Sequence, residues 1–192
     1  MDMVEVPSHW MERFASDPSC LAMWARHVGT GDPLPKALAE RMQRSEHMFW
    51  ALSAQHQALL ALVDLRLHGA GPLPAGGATE LVRDVFAQHA SIPPSPEHKL
   101  QLRFGHLVGY GGGYYAYLYA NALARGIWRQ HHDAADPCNR EAGEHVRRHL
   151  LQPGGAKRPR DMIVDLQGEG ALQALEGGWA PVLEDATHQV FR

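Results

Sequence analysis

Residues 34–68 read LPKALAERMQRSEHMFWALSAQHQALLALVDLRLH, and this stretch decides the secondary structure of the chain's first half. It contains no glycine, and its single proline, Pro35, stands where the first turn of a helix accepts one. Apolar residues recur along it at helical spacing: Met42, Phe49, Leu52, Leu59, Leu62, Val63 and Leu67. The pattern predicts one long helix or two nearly continuous helices.

The flanking sequence also predicts helices, separated by segments rich in glycine and proline. A helix start is expected at Ser8, which follows Pro7 and precedes several apolar residues. Further helices are predicted over residues 18–27, 79–88, 113–131, 136–151 and 161–166. The chain shows no internal repeat and few alternating apolar and polar residues, which strands would require. The predicted fold class is therefore mostly α.

Composition excludes several classes of protein. The chain has 192 residues, of which 45% are hydrophobic, enough for one substantial core. The net charge of −3 and the absence of a spanning apolar run predict no nucleic-acid partner and no membrane partner. Cys20 and Cys138 lack the spacing of a disulfide framework or a zinc-ligand pair, which favours a reducing compartment. The first residues are predicted not to be a targeting segment, because no basic residue precedes Arg13 and no hydrophobic core follows.

All five tyrosines fall within residues 110–119, directly around three consecutive glycines. On a helix that starts at Tyr114, two phenols, an amide and a guanidinium would share one face and form a hydrogen-bonding wall for a polar ligand. That face comprises Tyr114, Tyr117, Asn121 and Arg125. The buried face is predicted to comprise Tyr115, Leu118, Tyr119, Ala122 and Gly126. A packed aromatic helix with solvated phenols is the alternative, and a phosphate-binding loop at 109–113 lacks the GxGxxG spacing.

The segment HLVGYGGGYYAYL at residues 106–118 resembles the C-terminal signature HLxGYGAxYYxYL of the thimet oligopeptidase family of zinc metallopeptidases. The mitochondrial intermediate peptidase branch is the most similar. DMVEVPSHWMERF at residues 2–14 resembles the family's D-F-x-E-x-P-S-x-x-M-E-x-[FW]. Residues 25–35, 136–144 and 154–155 agree with the same branch in the same order. The likeness therefore covers most of residues 2–167.

The resemblance implies a fold and a set of site residues. The family is mainly helical with a deep channel between two lobes, so the chain is expected to be the multi-helix C-terminal part of a two-lobed zincin-type oligopeptidase. Residues 1–167 would belong to the catalytic domain, and 168–192 would form a variable helical tail. Glu5 matches the family's third zinc ligand. The family's catalytic positions match Tyr117 and His106, and its substrate-binding positions match Tyr110, Tyr114, Gly109 and Gly111.

The chain departs from the family in lacking an HExxH motif, whose two histidines bind zinc and whose glutamate is the general base. In the family this motif precedes the glutamate, so it would lie upstream of Met1. One hypothesis is a fragment of a zinc metalloendopeptidase that acts on peptides. It would be inactive alone and would bind zinc only with the upstream segment and the N-terminal lobe of the same protein. The branch implies the mitochondrion, or otherwise the cytoplasm. The alternative hypothesis is a stand-alone, non-catalytic helical module that binds peptides.

Two smaller features need an interpretation. His145 and His149 are spaced i, i+4, but Arg147 and Arg148 lie between them, so a solvated helix face is predicted rather than a metal site. Gly112 stands where the family usually has alanine. If this position were helical, glycine would cost about 0.5–1 kcal/mol.

Overall fold

The computed structural model describes residues 3–132 and 136–176, and these residues are mostly α-helical. Arg26 and Pro33 pair in an isolated antiparallel β-bridge. The predicted fold class is confirmed. The helices are α1 (Val6–Ser16), α2 (Pro18–Trp24), α3 (Lys36–Met48), α4 (Trp50–His68), α5 (Gly77–His89), α6 (His106–Gly109), α7 (Tyr115–His131), α8 (Arg140–Val146), α9 (Pro159–Gln167) and α10 (Glu169–Glu176).

The helix boundaries agree with the prediction where glycine and proline interrupt the chain, and they differ where a side-chain cap sets the first residue of a helix. Residues 34–68 form two nearly continuous helices, α3 and α4, as predicted. The helix predicted to open at residue 136 begins instead at Arg140, because the Asn139 side chain accepts hydrogen bonds from the N–H groups of Glu141 and Ala142. A π-helical turn, Arg147–Leu151, then carries it to its predicted end.

The chain divides into two compact units, which we describe separately. The first unit, residues 50–119, contains α4, α5, α6 and the start of α7. The second comprises residues 2–49 and 120–192. In the first unit, α4 packs on α5 around a hydrophobic core formed by Leu59, Val63, Leu81, Val82, Val85 and Phe86. The domain division predicted at residue 167 stays a prediction, and residues 177–192 of the expected tail lie outside the described residues.

An aromatic cluster organises part of the second unit. Phe14 meets Trp10 and Trp128 edge to face, with ring centroids 5.1 and 4.9 Å apart, and Trp128 stacks on His132 at 4.4 Å. Trp10 Nε1 donates to His132 Nε2 over 3.1 Å. Because an indole nitrogen can only donate, His132 Nε2 must accept, and its proton is therefore on Nδ1, which donates to the carbonyl of Pro137 at 2.8 Å. The cluster therefore requires a neutral His132.

The second unit is expected to lose stability below about pH 6.5. Burial, with a contribution from His131, lowers the pKa of His132 in the folded chain. The unfolded chain therefore takes up a proton at a pH where the folded chain does not, so the free energy of unfolding falls as the pH drops from about 7 to 5. Urea unfolding across this range checks the slope. His132→Gln, which keeps an acceptor for Trp10, should show a smaller slope, and an identical slope would contradict the assignment.

The two cysteines, which sequence spacing did not connect, lie in contact in the second unit. Their Sγ atoms are 3.6 Å apart, and both thiols are free. Cys20 is buried and Cys138 is exposed. Contact between residues so distant in sequence is produced by the fold and leaves no local spacing signal.

Cys20 is expected to resist alkylation in the folded protein. Burial, followed by the neighbouring Cys138 and Asp17, raises the pKa of the Cys20 thiol to about 12. The reactive thiolate is then roughly a thousandfold scarcer than in an ordinary cysteine. Mass spectrometry of a timed iodoacetamide reaction should show Cys138 labelled first, with Cys20 labelled only after denaturation. Equal labelling rates in the folded state would contradict the prediction.

Two packing predictions differ from the structure: the buried face of α7 and the solvated face around His145. The buried face predicted for α7 was wrong. Tyr115 is 36% exposed, and the buried residues are Ala116, Ala120, Leu123, Ala124 and Ile127. This face is offset by one residue, or about 100° around the helix.

His145 is half-buried rather than solvated, and its ring lies 4.4 Å from that of His131 and 4.6 Å from that of His149. Hydrogen bonds from Arg147 and Arg148 lower the pKa of Glu144 to about 2.

Within the described ranges, no helix has the length and apolarity needed to cross a membrane.

Candidate functional site

In the first unit, residues 106–119, which contain the tyrosines and the three consecutive glycines, form the short helix α6, a turn and the first residues of α7. His106 is the first residue of α6. The turn over residues 110–114 then leads into α7. This arrangement brings His106 Nε2 within 2.9 Å of the Tyr117 hydroxyl oxygen, although the two residues lie on different helices. A histidine that touches a phenol can orient the phenol's single hydrogen.

Tyr114 and Tyr110 complete the aromatic wall with His106 and Tyr117, and we call these four residues the tyrosine–histidine cluster. The ring of Tyr114 lies 5.3 Å from His106 and 5.0 Å from Tyr117. Tyr110 lies 5.7 Å from His106 and is 60% exposed. The first unit therefore brings together the four side chains that the sequence singled out.

The Tyr114 hydroxyl has a defined partner. It donates to Gln57 Oε1 at 2.9 Å, and its ring meets Phe104 edge to face at 4.8 Å. Burial, with a contribution from Tyr117, raises the pKa of Tyr114, so the phenol stays protonated at neutral pH. Its hydrogen is given to Gln57, and its oxygen keeps acceptor capacity for a ligand N–H.

Glycine is required at two positions of the turn for different structural reasons. A Cβ on Gly111 would lie 2.3 Å from His68 Nε2, so only glycine permits this close approach. Gly112 has φ +76°, in the left-handed region. The position is therefore not helical, and the penalty expected for glycine there does not apply. Gly109 ends α6, and a Cβ there would meet nothing within 4 Å.

Gly111→Ala is expected to destabilise the first unit and displace His68. The new methyl group would overlap a ring held by hydrogen bonds, and overpacking of this kind costs about 1–3 kcal/mol. Chemical unfolding monitored by hydrogen exchange in residues 64–68 and 106–114 checks it. Gly109→Ala is the matched control for stability, since its Cβ has space. Equal stability of the two variants would contradict the expected clash.

The sequence pattern did not identify the residues of α4 that hold the turn over residues 110–114. The most buried of them is Asp64. Asp64 has 0% exposure, and its two carboxylate oxygens accept hydrogen bonds from Gly112 N and Tyr114 N, each at 2.9 Å. Gln57, Asp64 and His68 follow an i, i+7, i+11 spacing, so they share one face of α4. An acidic residue inside the apolar run ALLALVDL was the signal that could have identified Asp64, although not its partners.

Glu5 belongs to the second unit, where it is the residue before α1. The hydroxyl oxygen of Ser8 lies 2.7 Å from Glu5 Oε2 and 2.9 Å from the Glu5 carbonyl oxygen, so its single hydrogen is shared between these two acceptors. A half-buried carboxylate held on one oxygen is suited to be one metal ligand. Among the described residues, however, no group of three or more His, Cys, Asp or Glu side chains could hold a metal ion. These residues alone do not make a zinc site.

Comparison with known proteins gives the context of this geometry. The sequence profile described as Peptidase family M3 matches residues 1–174. The chain is 41% identical over 172 residues to the mitochondrial intermediate peptidase of Mus musculus, covering 90% of this chain and 23% of that protein. The corresponding protein of Arabidopsis thaliana is 35% identical over 181 residues, which are 94% of this chain and 26% of that protein. That of Neurospora crassa is 38% identical over 184 residues, covering 92% and 22%.

The chain thus spans about a quarter of the length of the relatives it matches. The family profile covers most of the chain, including the tyrosine–histidine cluster and Glu5. On this evidence, the chain belongs to peptidase family M3.

Proposed function

We propose that the chain is the C-terminal part of the catalytic domain of a zinc metalloendopeptidase that cleaves peptides. The contact that supports this most directly is the 2.9 Å hydrogen bond between His106 Nε2 and the Tyr117 hydroxyl. It prepares a phenol as a donor to an oxyanion, the species that forms when a peptide carbonyl is attacked. Family membership supplies the reaction class, peptide hydrolysis.

The direction of the His106–Tyr117 hydrogen bond decides what Tyr117 can do. If the proton of His106 is on Nε2, it donates to the Tyr117 oxygen, and the phenol can then direct its own hydrogen at the substrate. We propose this tautomer for the reacting state. Tyr117 then donates to the oxygen that becomes negative in the tetrahedral intermediate, and His106 orients Tyr117. A single donor of this kind contributes about 10²–10³-fold to kcat.

The remaining members of the cluster are proposed to bind the peptide backbone. Tyr110 is largely exposed and is available to an incoming ligand. The Tyr114 hydroxyl already donates its hydrogen bond to Gln57. Its oxygen would therefore accept a hydrogen bond from a peptide N–H of the substrate. Gly109 and Gly111 would allow the main chain of the substrate to approach the turn closely.

Zinc is proposed as the cofactor, with Glu5 as one of its ligands. When bound, the ion would activate water and polarise the scissile carbonyl. The other two ligands and the general base are proposed to come from an HExxH segment in the N-terminal portion of the same protein. The 192-residue chain by itself is therefore expected to be inactive. The names of the relatives point to the mitochondrion as its location and to mitochondrial peptide processing as its role.

A stand-alone peptide-binding module is the second candidate. It is favoured by one observation: the whole tyrosine–histidine cluster lies in a single compact unit with its own hydrophobic core. Such a module would bind extended peptides through the cluster without hydrolysing them. It differs from the first candidate in needing no zinc.

The two candidates are separated by examining the protein as its cells make it. An antibody against residues 153–160 captures it, and mass spectrometry gives the intact mass. Cleavage of an internally quenched peptide is then measured before and after a zinc chelator, and after zinc is restored. A mass several times 21.2 kDa with chelator-sensitive cleavage supports the peptidase. A mass near 21.2 kDa, with peptide binding and no cleavage, supports the binding module instead.

A further inference from the structure

We infer that Asp64, acting with His68, is a positioning residue that sets the geometry between His106 and Tyr117. The inference rests on the proposed function for its kinetic consequence. The carboxylate of Asp64 contacts Gly112 N, Tyr114 N and His68, and none of these contacts is with the ring of His106 or Tyr117. It acts through the backbone segments that carry them.

The first link runs from Asp64 to the start of α7. A carboxylate with 0% exposure is costly unless its oxygens are paired. Here one oxygen accepts from Gly112 N and the other from Tyr114 N, both at 2.9 Å. Two N–H groups only two residues apart converge on one carboxylate, which restricts the conformation of the turn between them. Tyr114 immediately precedes α7, so Asp64 fixes where the helix that carries Tyr117 begins.

The charge of Asp64 also suits this position. The N-terminus of an α-helix has unsatisfied N–H groups and a partial positive charge, both of which favour a carboxylate. In most helices the capping group comes from the preceding residue, but here it comes from α4. Because α4 is anchored in the hydrophobic core of the first unit, the start of α7 is tied to a rigid element.

The second link runs from Asp64 through His68 to α6. His68 Nδ1 lies 2.9 Å from both the carbonyl oxygen and Oδ1 of Asp64, and His68 Nε2 lies 3.2 Å from the carbonyl oxygen of Leu107. Oxygens that only accept face both ring nitrogens, so the arrangement favours the imidazolium form, in which both nitrogens donate. The hydrogen bond to the Asp64 backbone is the main cause that raises the pKa of His68.

Together, the two links hold the backbone segments that carry His106 and Tyr117, the pair proposed to act on the oxyanion. Asp64 holds the turn that leads to Tyr117, and His68 holds Leu107, which is adjacent to His106 on α6. Gly111 contributes by leaving room for the His68 ring. Loss of the Asp64 carboxylate would release both segments, and the His106–Tyr117 distance would no longer be fixed. Misplacement of a catalytic donor lowers kcat more than it weakens substrate binding.

The test is Asp64→Asn, made in the protein as its cells produce it. Asparagine has nearly the same shape, but its amide NH₂ group would face a backbone N–H instead of accepting from it. We expect faster hydrogen exchange at residues 110–116, with kcat reduced about 10- to 100-fold and KM changed less than about threefold. Val63→Ala is the matched control, since Val63 is a fully buried neighbour in the core. It should lower global stability while leaving exchange in the turn and kcat at the wild-type values.

The outcomes separate the inference from the proposed function. Unchanged exchange and kcat in Asp64→Asn would overturn the positioning role, as would an equal loss in Val63→Ala. A wild-type protein without peptidase activity would refute the proposed function, and hydrogen exchange would still test the structural links. If Asp64→Asn does not fold, His68→Gln removes the contacts of His68 with Asp64 and with α6 and leaves the hydrogen bonds from Asp64 to the turn in place. It should increase exchange at residues 106–109 and lower kcat, and wild-type values for both would overturn the inference.

Discussion

Glu5→Gln, introduced into the protein as its cells make it, is expected to abolish stoichiometric zinc binding and to lower kcat/KM by more than about 100-fold. The amide has nearly the shape of the carboxylate but carries no charge, and neutral amides are poor zinc ligands. Loss of an outer-shell partner alone costs about 10–100-fold in metal affinity or activity, so loss of a ligand should cost more. Metal content after dialysis and cleavage of a quenched peptide are the measurements.

Glu12→Gln provides the matched control for this substitution. Glu12 lies on α1, the helix that Glu5 precedes, and its side chain is 66% exposed with a contact to His9 at 3.1 Å. Its removal eliminates one negative charge close to the same helix without touching the proposed ligand. The control should retain zinc and activity. Full zinc occupancy in Glu5→Gln would show that Glu5 is not a ligand.

Tyr117→Phe is expected to lower kcat by about 10²–10³-fold with little change in KM. The substitution removes one hydroxyl and keeps the ring, so packing against Tyr114 is preserved. The hydroxyl is proposed to act on charge that develops only in the transition state, and such a loss appears in kcat rather than in substrate binding. Steady-state kinetics on one peptide substrate, with far-UV circular dichroism to confirm folding, measures the effect.

Tyr115→Phe is the corresponding control, because Tyr115 is a neighbouring tyrosine that is 36% exposed and lies outside the tyrosine–histidine cluster. It should retain wild-type kcat and KM. A Tyr117→Phe enzyme with normal kcat would exclude the phenol as the oxyanion donor. An equal loss in both variants would instead indicate a general effect of removing phenols from this helix.

Local sequence predicted the helices well because their signals are local. Apolar spacing and the absence of glycine over residues 34–68 predicted α3 and α4, and the breakers on either side set their outer limits. The start of α8 was missed because Asp136, Pro137 and Asn139 all carry helix-start signals. Only the structure shows that the Asn139 side chain makes the cap.

Sequence alone also singled out the tyrosines of the tyrosine–histidine cluster, since the concentration of tyrosine beside glycine is visible without a fold. Their roles in binding and catalysis stay predictions. Sequence alone could not identify which helix face is buried. Periodicity shows which residues share a face, but a tyrosine is suited to either environment. In α7 the small residues Ala116, Ala120 and Ala124 take the buried face instead.

What the sequence by itself determined is the helical class, the family and the residues that meet in the tyrosine–histidine cluster. What only the tertiary structure decided is how those residues are held: from α4, Asp64 binds the turn and His68 binds α6. In the second unit, His132 accepts a hydrogen bond from Trp10. The contact between Cys20 and Cys138 is of the same kind. The physical reason is that these are contacts between residues about 40 to 120 positions apart. Such contacts form only after the helices pack, so no local pattern in the sequence encodes them.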